Sequence, residues 1–74
     1  MIWRVLLFAH LREKHGMEVQ VEAEPSVASV LEAVQALGID KTACRLAADN
    51  EFVKTGDSLR PGAELALIPP VSGG

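Results

Sequence analysis

Two nearly continuous apolar runs bracket this chain: Ile2 to Phe8, interrupted by Arg4, and Ala63 to Ile68, interrupted by Glu64. Runs of that kind read as strands buried on both faces, and so as the interior of a sheet. Between them the pattern changes. HLREKHG is polar and ends in Gly16, as a connection does, and MEVQVEAE then alternates at Met17, Val19, Val21 and Ala23, the period of a half-buried strand. From Val27 the apolar residues fall at three- and four-residue spacing, through Val30, Leu31, Val34 and Leu37, which predicts one amphipathic helix. Ser26 is placed to cap its start and Gly38 to stop it in a left-handed conformation, with Ile39 folding back over the end. RLAADNEFV reads as two short strands around Asp49-Asn50, residues that tolerate the positive φ of a tight hairpin. Gly56-Asp57 and Pro61-Gly62 mark further turns.

The order is therefore strand, strand, helix, two short strands, strand. If the first and last runs lie side by side at the sheet centre they are parallel, and the helix must cross one face between them. This predicts an α+β fold of the β-grasp (ubiquitin-like) kind, a mixed sheet of about five strands with one main helix packed on one face. At 74 residues the chain is one small domain, divided here into a β-grasp domain over residues 1–68 and an extended C-terminal tail over residues 69–74. A net charge of -3 with scattered cations, one Trp and no Tyr offers neither a basic stripe nor a stacking platform, which argues against nucleic acid. No apolar run approaches the ~20 residues of a membrane span, and the start, IWRVLLFA, is too short and wrongly flanked for a secretory signal. With Cys44 as its lone cysteine the chain has no internal disulfide, and a cytoplasmic location is expected.

The ending, PPVSGG, poses a chemical question. Pro69 and Pro70 cannot continue a central ladder and favour an extended path, so residues 69–74 span on the order of 20 Å. Val71 is the one bulky side chain beyond them; Ser72, Gly73 and Gly74 form a filament thin enough to be enclosed by a partner. Its reactive group is then the Gly74 carboxylate, which must be activated, for instance as an acyl-adenylate, before a sulfur or amine nucleophile attacks. A terminal Gly-Gly alone reads as a loose end. Two prolines and two glycines at set positions, with background frequencies of ~5% and ~7%, arise by chance roughly once in 10⁵ chains.

Over essentially its whole length the chain resembles the small subunit of molybdopterin synthase, of the MoaD and ThiS type of ubiquitin-like sulfur carriers. The residues carrying the resemblance are LALIPPVSGG, LLFAHLREKHG and the spacing of SLRPGAELALIPPV. It implies a cycle with two partners. An E1-like adenylating enzyme, using ATP, would activate Gly74, and a sulfurtransferase would supply the sulfur that makes a thiocarboxylate. The tail, Pro69 to Gly74, would then insert into the large subunit of molybdopterin synthase and give sulfur to cyclic pyranopterin monophosphate. The resemblance further implies a heterotetrameric synthase, no cofactor held stably by the chain, and a partner-binding surface that includes Phe8, Arg12, Leu67 and Ile68. The chain departs from the family pattern at Asp49, where an Asn is usual in the turn, and at Ala63, where an acidic residue usually follows the glycine.

Other residues compete for attention. Cys44 has no base partner in sequence and reads as a structural thiol. His10 and His15 lack the cysteine or further histidine a zinc site requires, so no metal is expected. Arg12 with Glu13 reads equally as a solvated face or an interface anchor, and Glu18, Glu22 and Glu24 as the solvated side of the second strand. No glycine-rich phosphate loop precedes a helix, which leaves ATP to a partner. Three alternatives to molybdopterin synthesis stay open: a protein modifier joined through Gly74, a carrier for another sulfur pathway (thiamine, cysteine or tRNA thiolation), and a β-grasp interaction module whose tail does no chemistry.

Overall fold

The computed structural model describes residues 1–70. Its strands and helices run β1 (Ile2–Leu7), α1 (Ala9–His15), β2 (Glu18–Glu22), α2 (Val27–Ala36), β3 (Arg45–Ala48), β4 (Glu51–Phe52) and β5 (Leu65–Ile68). They form a five-stranded sheet in the order β2-β1-β5-β3-β4. β1 and β5 are parallel neighbours at its centre, with Val5, Leu6 and Leu7 opposite Leu65, Ala66 and Leu67, and the other pairs are antiparallel. A parallel central pair joined by a crossover helix is the β-grasp arrangement predicted from the two apolar runs.

One face of this sheet meets α2. Trp3, Val5, Leu7, Val21, Leu46, Leu65 and Leu67 form a single buried cluster with Val27, Val30 and Val34 of the helix. α2 forms where the spacing predicts it. Ser26 Oγ accepts a hydrogen bond from the Ser29 backbone N–H at 3.2 Å, and Gly38, at φ 87°, takes the left-handed stop. Ile39 folds back into the core, whereas Leu37, placed by its spacing on the apolar face, is exposed beyond the last helical turn. The hairpin is likewise as expected, with Asp49 and Asn50 at φ 50° and 70°.

Three further differences from the sequence reading concern the strands and the connection between the first two. HLREKHG is not a plain connection: residues 9–15 form α1, a second helix. Leu11 is its one buried residue, and Gly16 N–H closes the last turn on Arg12 C=O at 2.9 Å. A single apolar anchor leaves no periodicity to detect. Met17, assigned to the inward face of the second strand, is exposed and precedes the strand. Finally, the central strands are not buried on both faces. Along β1, Trp3, Val5 and Leu7 are buried while Ile2 and Arg4 are exposed, and along β5 Leu65 and Leu67 are buried while Ala66 and Ile68 are half-buried. α2 covers one side, and the apolar residues on the other side face outward.

Among the described residues no helix is long and apolar enough to cross a membrane.

Candidate functional site

The open face is organised in rows by strand register. Leu6, Ala66, Ala47 and Phe52 form one row across β1, β5, β3 and β4, and Ile68 lies opposite Arg45 in the next row towards the end of β5. Phe8, which follows β1 in extended conformation, belongs to that same end. Phe8, Ala47, Asn50, Phe52, Ala66 and Ile68 surround a shallow depression of about 190 Å³. Phe8 and Phe52 are 41% and 53% exposed, an unusual concentration of wet aromatic surface for a chain with three aromatic residues. β5 ends at Ile68, so Pro69-Pro70 leaves from the edge of this patch. Pro69 is buried and Pro70 exposed, which roots the chain firmly just before it departs.

The sequence-derived site residues distribute unevenly over this geometry. Phe8 and Ile68 meet at the depression. Arg12 lies exposed on α1, and its backbone N–H donates to Phe8 C=O at 3.3 Å, so it adjoins the patch without lining it. Leu67 is a correction: it is fully buried and packs in the core under α2. Adjacent residues in a strand point to opposite faces, so Ile68 and Leu67 cannot both face a partner. Val71, Ser72, Gly73 and Gly74, which carry the expected chemistry, lie outside the described residues.

Phe52 and Arg45 were missed by sequence reasoning. A signal did exist. In a hairpin with a two-residue turn at Asp49-Asn50, Ala47 pairs with Phe52, and Arg45 shares their face once Leu46 is assigned to the core. The Arg45 guanidinium carbon lies 3.7 Å from the centroid of the Phe52 ring, within cation–π range.

Two of the other arginines near this face are engaged by carboxylates. Arg4 Nε donates to Glu18 Oε2 at 2.7 Å, and this hydrogen bond holds the Glu18 carboxyl below its ordinary value. Arg60 Nη2 donates to Asp49 Oδ2 at 2.5 Å, while Asp49 Oδ1 accepts from the Glu64 backbone N–H at 3.0 Å. The Glu64 amide, and after it Arg60, lowers the Asp49 pKa. Asp49 thus ties the hairpin turn to the loop before β5, a use of the carboxylate that an Asn would serve only in part. A larger depression, about 290 Å³, is lined by Ile2, Arg4, Leu6, Gly62 and Glu64. It lies at the start of β1, away from the root of the tail.

The remaining candidates sit elsewhere. Cys44 is partly buried after α2, where burial, and after it the Asp40 charge, raises its pKa. Asp40 is itself held low by hydrogen bonding from Thr42, whose backbone N–H reaches Oδ1 at 2.9 Å, with the charges of His10 and Lys14 as minor contributions.

Residues 5–74 match the ThiS family. A protein of Chlamydomonas reinhardtii named molybdopterin synthase sulfur carrier subunit is 35% identical over 80 residues, an alignment covering 96% of this chain and 96% of that protein. The crystal structure of SAMP1 from Haloferax volcanii superposes with a TM-score of 0.79 at 29% identity over the whole of both chains. One of the H. volcanii small archaeal modifier protein 1 gives 0.75 at 26%, covering 95% of this chain and 98% of that one. A complex of subunits 1 and 2 of molybdopterin-converting factor from Helicobacter pylori gives 0.73 at 22% over the whole of both chains, a likeness of fold.

Proposed function

The chain belongs to the ThiS family, and from that premise we propose that it is the sulfur carrier subunit of a molybdopterin synthase. The observation carrying this reading is the near full-length match to a relative of that name, in a chain whose PPVSGG ending follows directly on a central, core-anchored strand. The reacting atom is the acyl carbon of Gly74. As a carboxylate it resists nucleophiles, so an E1-like partner transfers AMP from ATP to it and releases pyrophosphate. The terminal sulfur of a sulfurtransferase persulfide then attacks the acyl carbon and AMP leaves; a thiol cleaves the S–S bond of the resulting acyl disulfide, releasing the thiocarboxylate and ending as a disulfide with the donor sulfur. In the synthase the loaded tail enters the large subunit and passes its sulfur to cyclic pyranopterin monophosphate, and hydrolysis of the acyl link returns the Gly74 carboxylate. The cycle belongs to the cytoplasm, and ATP is bound by the activating enzyme.

In this scheme the chain's own residues dock and present. Phe8, Ile68 and Phe52 give an apolar surface to a partner, Arg12 stands beside it, and buried Pro69 with Pro70 starts the tail on a stiff extended path. Leu67 serves by anchoring β5. The test is intact mass after incubation with the activating enzyme of the same genome, ATP and a sulfur source. A gain of ~16 Da, one oxygen replaced by sulfur on the acyl group, is expected. No gain, with Gly74 verified as the terminus, refutes the reading.

A second reading is favoured by the likeness to a protein named as a small archaeal modifier at 26% identity. Here the activated Gly74 is attacked by a lysine amine and forms an isopeptide bond. Gly74 found in isopeptide linkage to cellular proteins, with no thiocarboxylate formed, would establish it.

A further inference from the structure

We infer that α1 is a latch: residues 8–16 leave the fold as one unit while the sheet and α2 stay intact, and in doing so they release Phe8 and Arg12 from the positions of the closed form. The excursion is closed at its base by a hydrogen bond. Leu7 N–H donates to Met17 C=O at 2.9 Å, which carries the β1–β2 pairing one step past its last register pair, Leu6 with Glu18. With that base closed, the segment opens without breaking a strand pair.

Few interactions hold α1 shut. At seven residues it is well below the length at which a helix holds in water by itself. No side chain caps it, and its first turn has no acidic residue to meet the dipole. Leu11 N–H and Arg12 N–H both donate to one acceptor, Phe8 C=O, at 3.2 and 3.3 Å, the long end of the usual range. Among the described residues no side chain of residues 9–15 makes a hydrogen bond or an ion pair. Leu11, 1% exposed, is the one buried anchor.

Against that anchor stands backbone strain. Ala9 has φ 51°, in the left-handed region, which costs a residue with a Cβ a factor of roughly 5–30 in equilibrium constant. The strain follows from the topology. β1 ends at Leu7 and α1 starts at Ala9, so the chain turns from strand into helix across Phe8 alone, and opening lets Ala9 relax. Because both bonds of the first turn end on Phe8 C=O, Phe8 and Arg12 move with the latch rather than independently. β1 runs parallel to β5, which puts α1 at the end of the sheet from which Pro69 departs. The exposed side chains of Phe8 and Arg12 are thus mounted, beside the root of the tail, on the element that yields first.

Amide hydrogen exchange of the full chain, followed residue by residue by NMR with and without mild urea, tests the latch. Gly16 N–H, bonded to Arg12 C=O inside the excursion, is expected to be at least about a hundredfold less protected than Leu7 N–H at its base. Its exchange should depend only weakly on urea, because the opening exposes little surface. Ala9→Gly, which removes the strain, should raise the protection of Gly16 about threefold. Leu11→Ala should abolish that protection, yet lower the protection of Leu7 by no more than the factor that Gly16 has in wild type. The open form is then the ground state, and Leu11 contributes nothing to it. Equal protection of Gly16 and Leu7 with equal urea dependence overturns the inference, since α1 would then open only with the whole fold. So does a Leu11→Ala chain that fails to fold or that keeps Gly16 protected, and so does an Ala9→Gly chain in which that protection does not rise. The loading of Gly74 is independent of all these outcomes and is tested by the mass gain alone.

Discussion

Replacing Leu67 and Ile68 in turn by alanine tests the central geometric statement, that adjacent residues of β5 serve opposite purposes. Leu67 is fully buried between the sheet and α2, and Ile68 is half-buried on the open face. Truncating a fully buried leucine removes its transfer free energy and leaves a cavity, at about 2–5 kcal/mol. Truncating a side chain of which only part is buried costs about 1 kcal/mol. A domain of 74 residues has a total stability of roughly 4–11 kcal/mol. Leu67→Ala therefore consumes a large share of it, and Ile68→Ala leaves a well-folded protein. Equilibrium urea unfolding followed by Trp3 fluorescence measures both, since Trp3 is the single tryptophan and is 2% exposed. The expected midpoints put Leu67→Ala far below wild type and Ile68→Ala close to it, whereas binding to the large synthase subunit weakens in folded Ile68→Ala. Because a slip of one residue in β5 would exchange the two faces, an Ile68→Ala loss equal to or greater than that of Leu67→Ala would refute the register that puts Ile68 on the open face.

Asp49 has a folded pKa below its ordinary value of 3.8, so its contribution to stability is full above that value and is lost as pH falls through the lower folded one. Asp49→Asn, which keeps an oxygen for the Glu64 amide but no charge for Arg60, should unfold more easily than wild type at neutral pH, and the gap between their urea midpoints should narrow below about pH 4. Trp3→Phe removes the hydrogen bond from Nε1–H to Ala23 C=O, 3.0 Å in the fold. With the volume also lost, destabilisation of about 2 kcal/mol is expected from urea titrations followed by far-UV circular dichroism. Cys44, whose pKa is raised first by burial and then by Asp40, should react with an aromatic disulfide reagent more slowly in the folded than in the urea-unfolded chain. Asp40→Asn should speed the folded-state reaction, as read from the absorbance of the released thiolate.

Much of the scaffold was legible because its signals are local. Valine spacing, Ser26 and Gly38 mark α2 with its cap and stop; Asp49-Asn50 marks the hairpin; the two apolar runs mark the central pair. α1 was hidden because Leu11 alone anchors it. The site was legible in part. Phe8 and Ile68 line one depression of the open face, but Leu67, one residue away, turns inward. Phe52 and Arg45 came into view only through the hairpin register.

The sequence by itself determined periodicity, turn chemistry and the composition of the ending, since each depends on the conformational preferences of a few neighbouring residues. Tertiary structure decided which side of each apolar strand is the inside. A run such as LALI presents apolar groups to both faces, and only the arrival of α2 on one of them makes Leu65 and Leu67 core and leaves Ala66 and Ile68 outside. Strand pairing then carries Phe8, Arg45, Phe52 and Ile68, far apart along the chain, to one corner beside the departing prolines, because hydrogen-bond register acts across strands whatever their separation in sequence.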